Sequence, residues 1–191
     1  MKFIVETSAR HIHVTERTLA ILFGEGHTLT NKKDLSQPGQ FACEEKVKLV
    51  GPKGEMNVSI LGPVRKADQV ELSFTDARTL GLKGVPVRES GDVAGTPGIK
   101  LVGPCGEVEL SEGVMIAKRH IHMTPAQAAA FGLADGDRVQ VKIDGPKPGV
   151  MGGVLIRAND KCALDFHIDT DDGNAFLLKQ GQLVTVLGKE E

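Results

Sequence analysis

The tetrapeptide Arg-His-Ile-His occurs twice in this chain, at residues 10–13 and again at residues 119–122. Residues i and i+2 of an extended strand point to the same side, so each copy places two imidazoles next to each other. Together the copies contain four of the six histidines. We therefore expect each His-x-His to supply two ligands of one divalent metal ion, with a further ligand coming from elsewhere in the fold.

Helix signals follow both copies of the motif. Thr15 precedes an apolar-periodic segment that stops at Gly24, a pattern typical of an N-cap and a C-terminal glycine. Thr124 precedes Pro125 and, with Gln127 three residues later, forms a capping-box pattern. Each His-x-His is thus predicted to end a strand that leads into a short helix.

Two further segments fit the same unit, if Thr75 and Asp171 are taken as helix caps that lead to stops at Gly81 and Gly181. The position four residues before each cap is then always a possible metal ligand. This alignment predicts two three-ligand sets, which are His11, His13 and Glu71 in the first and His120, His122 and His167 in the second. Three ligands leave coordination positions open, as in catalytic zinc sites, and imidazole-rich sets favour zinc over harder ions.

The sequence also leaves simpler interpretations open for single residues. Glu71 could equally be an ordinary carboxylate on a strand, and Arg65 could equally be a solvated residue of a turn. Arg65 lies six residues before Glu71, where a guanidinium would be a suitable clamp for an oxyanion.

The rest of the chain predicts a mainly β protein. Gly-Pro-x-Gly turns at 51–54 and 103–106 separate pairs of strand-like segments, and a looser version spans 144–149. Recurring hairpins favour β-barrels or sandwiches. Residues 90–98 are predicted to be a flexible connector, and the polar segment 24–40 a loop or small insertion.

Composition excludes several classes of function. The chain of 191 residues has a net charge of −2 and neither Trp nor Tyr, so it has no basic or aromatic surface for nucleic acid. No apolar run of about 18 residues predicts a membrane span, and the N-terminus is too polar for a signal peptide. Three scattered cysteines, Cys43, Cys105 and Cys162, predict free thiols in a reducing, cytoplasmic compartment.

The segments SARHIHVT, LGPVRKADQVE, VAGTPG, KRHIHMTP and FHIDTDDGNA resemble the PduL-type phosphotransacylases, or phosphate propanoyltransferases. The resemblance extends over essentially the whole chain. It implies an enzyme that interconverts a short acyl-CoA and phosphate with an acyl phosphate and coenzyme A. Propanoyl-CoA and acetyl-CoA are both plausible substrates.

The resemblance also implies an architecture. It predicts two small β-barrels capped by short helices, with strands interleaved in sequence and the active site between the barrels. The first barrel would comprise residues 1–9 plus 118–191 and the second residues 10–23 plus 45–117, with 24–44 as a small insertion. A homodimer is expected.

For the site, the resemblance implies two zinc ions per chain in the two ligand sets given above, and phosphate binding by Arg65. We assign phosphate to the second ion together with Arg65, and the thioester sulfur to the first ion. This arrangement needs no protein nucleophile, so we expect direct transfer and dispensable cysteines. Residues that flank the two motifs are candidates for the phosphates of coenzyme A, namely Ser8, Arg10, Lys118 and Arg119.

Two alternatives stay open at this level: a di-zinc hydrolase, and a non-catalytic, cupin-like metal- or ligand-binding protein. The N-terminal amphipathic helix that directs some family members into bacterial microcompartments is not evident before Phe3. We therefore expect a cytoplasmic location, with the microcompartment lumen as the alternative and association with its shell doubtful.

Overall fold

The computed structural model describes residues 2–190 and shows a mainly β protein. Within that range there are fifteen strands and four helices, and every helix has eight residues or fewer. No helix in the described range combines the length and the apolar character needed to cross a bilayer. In chain order the elements are β1 (Lys2–Ser8), β2 (His11–His13), α1 (Glu16–Phe23), β3 (Asn31–Asp34), β4 (Phe41–Val50), β5 (Glu55–Gly62), β6 (Gln69–Glu71), α2 (Phe74–Leu80), β7 (Val87–Arg88), β8 (Ile99–Val102), β9 (Glu107–Leu110), β10 (Val114–Ala117), β11 (His120–Met123), α3 (Pro125–Ala130), β12 (Arg138–Ile143), β13 (Gly149–Ala158), β14 (Asp165–Asp169), α4 (Thr170–Phe176) and β15 (Leu183–Lys189).

The Gly-Pro-x-Gly segments form the hairpin turns that the sequence predicts. They join β4 to β5 and β8 to β9, which pair antiparallel. Each turn packs against the end of a helix, because Lys53 N donates to Leu80 O and Cys105 N donates to Leu22 O. A Cβ atom at Gly51 would lie 2.3 Å from Leu80 O. The glycine is therefore required by this close approach of backbone to backbone.

The described residues form two compact units. The split unit comprises residues 2–8, 36–38 and 118–190, and the central unit comprises residues 9–35 and 39–117. In the split unit, six strands close into a barrel in the order β1-β14-β11-β13-β12-β15. Its core contains buried side chains from these strands, among them Phe3, Ile121 and Phe166.

The central unit is a curled nine-stranded sheet. Its order in the described residues is β7-β10-β6-β2-β5-β4-β8-β9, and β3 pairs with β4 outside this path. Strand and helix side chains such as Ile12, Leu22, Ile60 and Leu80 fill its core. The prediction of a mainly β fold with two barrel-like units and interleaved strands is confirmed.

The two units share one strand order. In the central unit, β10-β6-β2-β5-β4-β8 repeats the parallel and antiparallel pairings of β1-β14-β11-β13-β12-β15 in the split unit. In this correspondence β1 matches β10, although β1 lies in the split unit and β10 in the central one. Each unit therefore contains the first strand of the other half of the chain.

The helix starts were predicted correctly after the two His-x-His motifs. Thr15 accepts a hydrogen bond from Thr18 N, and Thr124 and Gln127 form the capping box. The other two caps were wrong: Ser73, not Thr75, caps α2, and Asp169, not Asp171, caps α4. Ser73 is the cap because its side chain accepts from Asp76 N while its own backbone N–H donates to the Asp76 carboxylate, which completes a capping box.

The predicted end of the last helix was also wrong. Helix α4 stops at Phe176, and Leu177 adopts the left-handed conformation with φ of 52°, so Gly181 lies beyond the helix.

Candidate metal centres and active site

Pairing of β2 with β6 brings the first predicted ligand set together. The strands are antiparallel, and His11 lies opposite Glu71. His11 Nε2 is 3.4 Å from Glu71 Oε2. The candidate ligand atoms of His11, His13 and Glu71 all lie within 4.8 Å of one another. We call this group the central-unit centre.

Backbone carbonyls fix the tautomers of both histidines in this centre. His11 Nδ1 donates to Ala9 O at 2.9 Å, and His13 Nδ1 donates to Leu61 O at 3.0 Å. Since a carbonyl can only accept, each Nδ1 carries the proton and each Nε2 keeps its lone pair. Burial, together with the neighbouring His11 and Arg65, lowers the pKa of His13 to about 3. This imidazole is therefore neutral near pH 7, as a metal ligand must be.

The Glu71 carboxylate is held by two side chains that sequence reasoning missed. Ser90 Oγ donates to Glu71 Oε1 at 2.8 Å, and Gln69 Nε2 donates to the same oxygen and to Ser90 Oγ. Gln69 Oε1 in turn accepts from Gly91 N at 2.7 Å. Ser90 begins the segment predicted to be a flexible connector, so this connector is anchored to the candidate site at its first residue.

Both the backbone and the guanidinium of Arg65 contact residues next to the central-unit centre. Its backbone N–H donates to Val14 O at 2.8 Å, and its Nη1 lies 3.5 Å from Ser90 Oγ. Arg65 lines a cavity of about 720 Å³ with two further cationic side chains, Arg17 and Lys66. The Glu16 carboxylate also lines this cavity, so three cations face one anion, and the net positive charge attracts anions.

Pairing of β11 with β14 brings together the second predicted set. His120 lies opposite His167, and His122 lies opposite Asp165. The ring centroids of His120, His122 and His167 are 4.6 to 5.2 Å apart. His120 Nδ1 donates to Lys118 O at 2.7 Å, which leaves its Nε2 as an acceptor 3.1 Å from His122 Nε2. We call this group the split-unit centre.

Cys162 contacts this centre, although the sequence places it 40 residues from His122 and offers no signal. Its Sγ lies 3.2 Å from His122 Nδ1. Burial, together with the neighbouring His120 and His167, lowers the pKa of His122 to about 3. All three cysteines are free thiols, as predicted.

Two carboxylates that were not predicted flank His167. Asp165 Oδ2 is 3.2 Å from His167 Nε2, and Glu6 lies beside His167 on the neighbouring strand β1. Burial raises the pKa of Glu6, and the nearby Asp165 adds to this effect. Burial alone would raise the pKa of Asp165, but hydrogen bonding to His167, Glu6 and Ser36, together with the charge of His167, outweighs it and holds that pKa at about 2.

The candidate coenzyme A residues make contacts within their own units. Arg10 pairs with Asp76 at 2.7 Å, and Arg119 pairs with Asp172 at 2.8 Å. Both carboxylates stand three residues after a helix cap, so each motif arginine ties its His-x-His strand to a helix start. Ser8 Oγ lies 3.4 Å from His167 Nδ1, and Lys118 contributes the carbonyl that orients His120. Coenzyme A binding by these residues stays a prediction.

The corrected caps change the alignment of the four units. Glu71 and His167 stand two residues before their caps, so they match His13 and His122 rather than His11 and His120. The positions four residues before the caps are His11, Gln69, His120 and Asp165. The membership of the two ligand sets does not change. Gln69 in the central unit and Asp165 in the split unit now occupy the same position of their respective units, four residues before the cap.

Comparison with known proteins identifies the group to which this arrangement belongs. The family model for phosphate propanoyltransferase matches residues 4–179. The chain is 51% identical to the phosphate propanoyltransferase of Listeria monocytogenes, over 93% of this chain and 83% of that protein. It is 50% identical to the one from Thermotoga maritima, over 96% and 88%, and 52% identical to the one from Leptotrichia buccalis, over 91% and 82%.

Proposed function

The chain belongs to the phosphate propanoyltransferase family, and from this premise we propose that it moves a short acyl group directly between coenzyme A and phosphate at two zinc centres. Phosphate acyltransferase activity with coenzyme A as a substrate follows from membership of the family. The direct transfer, the two ions and the acyl group, propanoyl or acetyl, are the finer parts of the proposal.

The observation that carries the zinc proposal is the convergence of His11, His13 and Glu71. Three candidate ligand atoms lie within 4.8 Å of one another, and the tautomers of both histidines leave Nε2 free to bind. Two imidazoles and one carboxylate suit zinc and leave coordination positions open. His120, His122 and His167 would hold the second ion. Zinc at these centres would supply Lewis acidity toward the reacting oxygen and sulfur atoms.

Arg65 is the residue that we propose binds phosphate. In the reaction an oxygen of hydrogen phosphate bonds to the thioester carbon, the carbon–sulfur bond breaks, and the phosphate proton passes to the departing sulfur, which leaves as the thiol of coenzyme A. Two anions must approach each other, and the guanidinium offsets their repulsion while it orients the phosphate oxygens through paired N–H donors. Arg17 and Lys66 at the same cavity support this assignment. The choice of ion beside phosphate stays a prediction.

A coupled assay tests this function. Acetyl-CoA and propanoyl-CoA should each be converted to acyl phosphate with release of free thiol, and the faster of the two identifies the preferred acyl group. In phosphate-free buffer the thioester should persist, because no hydrolysis is proposed. Thioester hydrolysis without phosphate would contradict the proposal, and so would an acyl-enzyme detected by mass spectrometry.

Metal analysis tests the two centres separately from turnover. The purified chain should contain two equivalents of zinc. His122→Ala should lose one equivalent and most of the activity. His27→Ala is the matched control: His27 pairs with Glu45 at 2.9 Å and belongs to neither ligand set, so this variant should retain both ions. Active protein with one equivalent or none would exclude the two-ion model.

A further inference from the structure

Gln37 is a buried polar residue in the segment 24–40, which the sequence predicts to be a loop or small insertion. Residues 36–38 of this segment belong to the split unit. Gln37 is only 5% exposed, whereas the residues on either side of it are exposed. A polar side chain that is buried between two exposed neighbours indicates a specific hydrogen-bonded contact rather than general packing.

The Gln37 amide pairs with both backbone groups of one residue. Its Nε2 donates to Ala163 O at 3.0 Å, and its Oε1 accepts from Ala163 N at 3.2 Å. Ala163 lies in the loop 159–164, which joins β13 to β14. Such a paired contact resembles the one that a neighbouring strand makes, so it fixes both the place and the direction of the loop. Cys162, the preceding residue, donates its N–H to Asn159 O at 3.2 Å and is thus held from both sides.

The same loop places a thiol against the ligand set of the split unit. Cys162 Sγ lies 3.2 Å from His122 Nδ1. Backbone carbonyls contact Nδ1 of the other three histidines in the two motifs, which are His11, His13 and His120. Each of those carbonyls belongs to a strand or directly follows one, so the sheets hold them in place. The partner of His122 is instead held by a loop, and Gln37 anchors that loop.

We propose that Gln37 is a positioning residue of the split-unit centre, because it holds the loop 159–164 so that Cys162 keeps the His122 ring oriented as a ligand. Cys162 acts through a non-covalent contact, which is compatible with direct transfer. The inference rests on the proposed function only in taking His122 as a ligand. Partners of metal ligands contribute about 10- to 100-fold in affinity. Gln37 acts one contact further away, so its loss should lie near the tenfold end.

Nuclear magnetic resonance of the histidine rings tests this positioning without turnover. In long-range proton–nitrogen spectra of the full chain as purified, Gln37→Leu should shift and broaden the ring signals of His122 and leave those of His13 as in the wild type. Leucine approximates the volume of glutamine, so the substitution mainly removes the two hydrogen bonds. Gln140→Leu is the matched control, because Gln140 is an exposed glutamine of the same unit.

Zinc affinity provides a second readout. In competition with a chromophoric chelator, Gln37→Leu should weaken one zinc equivalent by about tenfold and leave the other as in the wild type. Cys162→Ala should weaken the same equivalent, and Cys162→Ser, whose hydroxyl can replace the contact, should do so less. Because both residues act through one contact, Gln37→Leu combined with Cys162→Ala should be no weaker than the weaker-binding single variant, whereas independent structural effects would add.

Contrary results overturn the proposal. Wild-type ring signals of His122 in a folded Gln37→Leu variant, equal weakening of both zinc equivalents, or additive losses in the double variant would each show that Gln37 only supports the fold. If Gln37→Leu does not fold, by circular dichroism, Cys162→Ala decides the question, and wild-type His122 signals in that variant exclude the proposed connection. A wild-type chain with fewer than two zinc ions would contradict the proposed function, while the ring signals would still test Gln37.

Discussion

The contacts of Glu71 predict how strongly the central-unit centre depends on residues that are not ligands. Ser90→Ala removes one hydrogen bond to Glu71 Oε1, and Gln69→Leu removes another while it also leaves Gly91 N–H without its acceptor. Leucine approximates the volume of the glutamine side chain, so the change is mainly one of hydrogen bonding. Without these donors the carboxylate can rotate away from His11 and His13.

The magnitude follows from the number of lost contacts. Loss of a residue that orients a metal ligand costs about 10- to 100-fold in metal affinity. Ser90→Ala, which removes one donor, should lie near the tenfold end, or about 1.4 kcal/mol. Gln69→Leu should approach 100-fold, because it also frees the Ser90 hydroxyl and disturbs the backbone at Gly91. Removing the ligand itself, in Glu71→Gln, should cost more than either.

Competition with a chromophoric chelator near neutral pH measures zinc affinity in each variant. Ser111→Ala is the matched control, since Ser111 is exposed and distant in sequence from the site. Thermal unfolding in the presence of a chelator separates loss of affinity from loss of fold. Wild-type zinc affinity in a well-folded Gln69→Leu variant would refute the argument that this hydrogen-bond network positions Glu71.

Three further predictions follow from the structure. Arg65→Ala should raise the KM for phosphate by about 10- to 100-fold for each charge-assisted hydrogen bond lost, with Arg65→Lys intermediate and both metals retained; a defect in the thioester KM instead would remove Arg65 from the phosphate site. Ser73→Ala should lower the free energy of unfolding by about 1 kcal/mol in denaturant titrations, and equal loss in Thr75→Ala would contradict the cap assignment. Burial and the nearby Glu45 carboxylate raise the pKa of Cys43 to about 11, so at mildly alkaline pH iodoacetamide should label exposed Cys105 and spare Cys43 until the chain is unfolded, as peptide mapping would show.

Local signals in the sequence were sufficient for the strand–helix units that carry the His-x-His motifs. A threonine cap and its partner three residues later form a contact within one turn, so Thr15, Thr124 and Gln127 could be recognised directly. The same reasoning failed at Thr75 and Asp171 because a second residue with a suitable side chain, Ser73 or Asp169, stands two positions earlier. Only the backbone geometry decides between such neighbours.

The surroundings of the centres could not be predicted, because they depend on which strands pair and in which register. Gln69, Ser90 and Asp165 acquire their roles from pairings between segments far apart in sequence. Asp165 in particular stands where its counterpart is a glutamine, so no shared motif marks it. Cys162 reaches His122 from a loop whose path has no local signature.

Because β1 belongs to the split unit, whose other strands come from the C-terminal half of the chain, the two units cannot be completed in the order in which the ribosome makes the chain. Residues 9–117 contain the whole of the central unit, so this unit can complete its sheet while the rest of the chain is still being made. Strand β1 must then wait with its pairing edges exposed until β14 and β15 emerge.

Early folding of the central unit also shortens the effective loop that is closed when β1 pairs with β14. The strands that begin and end this unit, β2 and β10, both flank β6, so folding places its two ends only two strand spacings apart. The loop between β1 and β14 then behaves as about 50 residues rather than about 160, which lowers its closure cost by about 1 kcal/mol. Once folded, the central unit therefore keeps β1 close to the start of the C-terminal segment that contains its later pairing partners, β14 and β15.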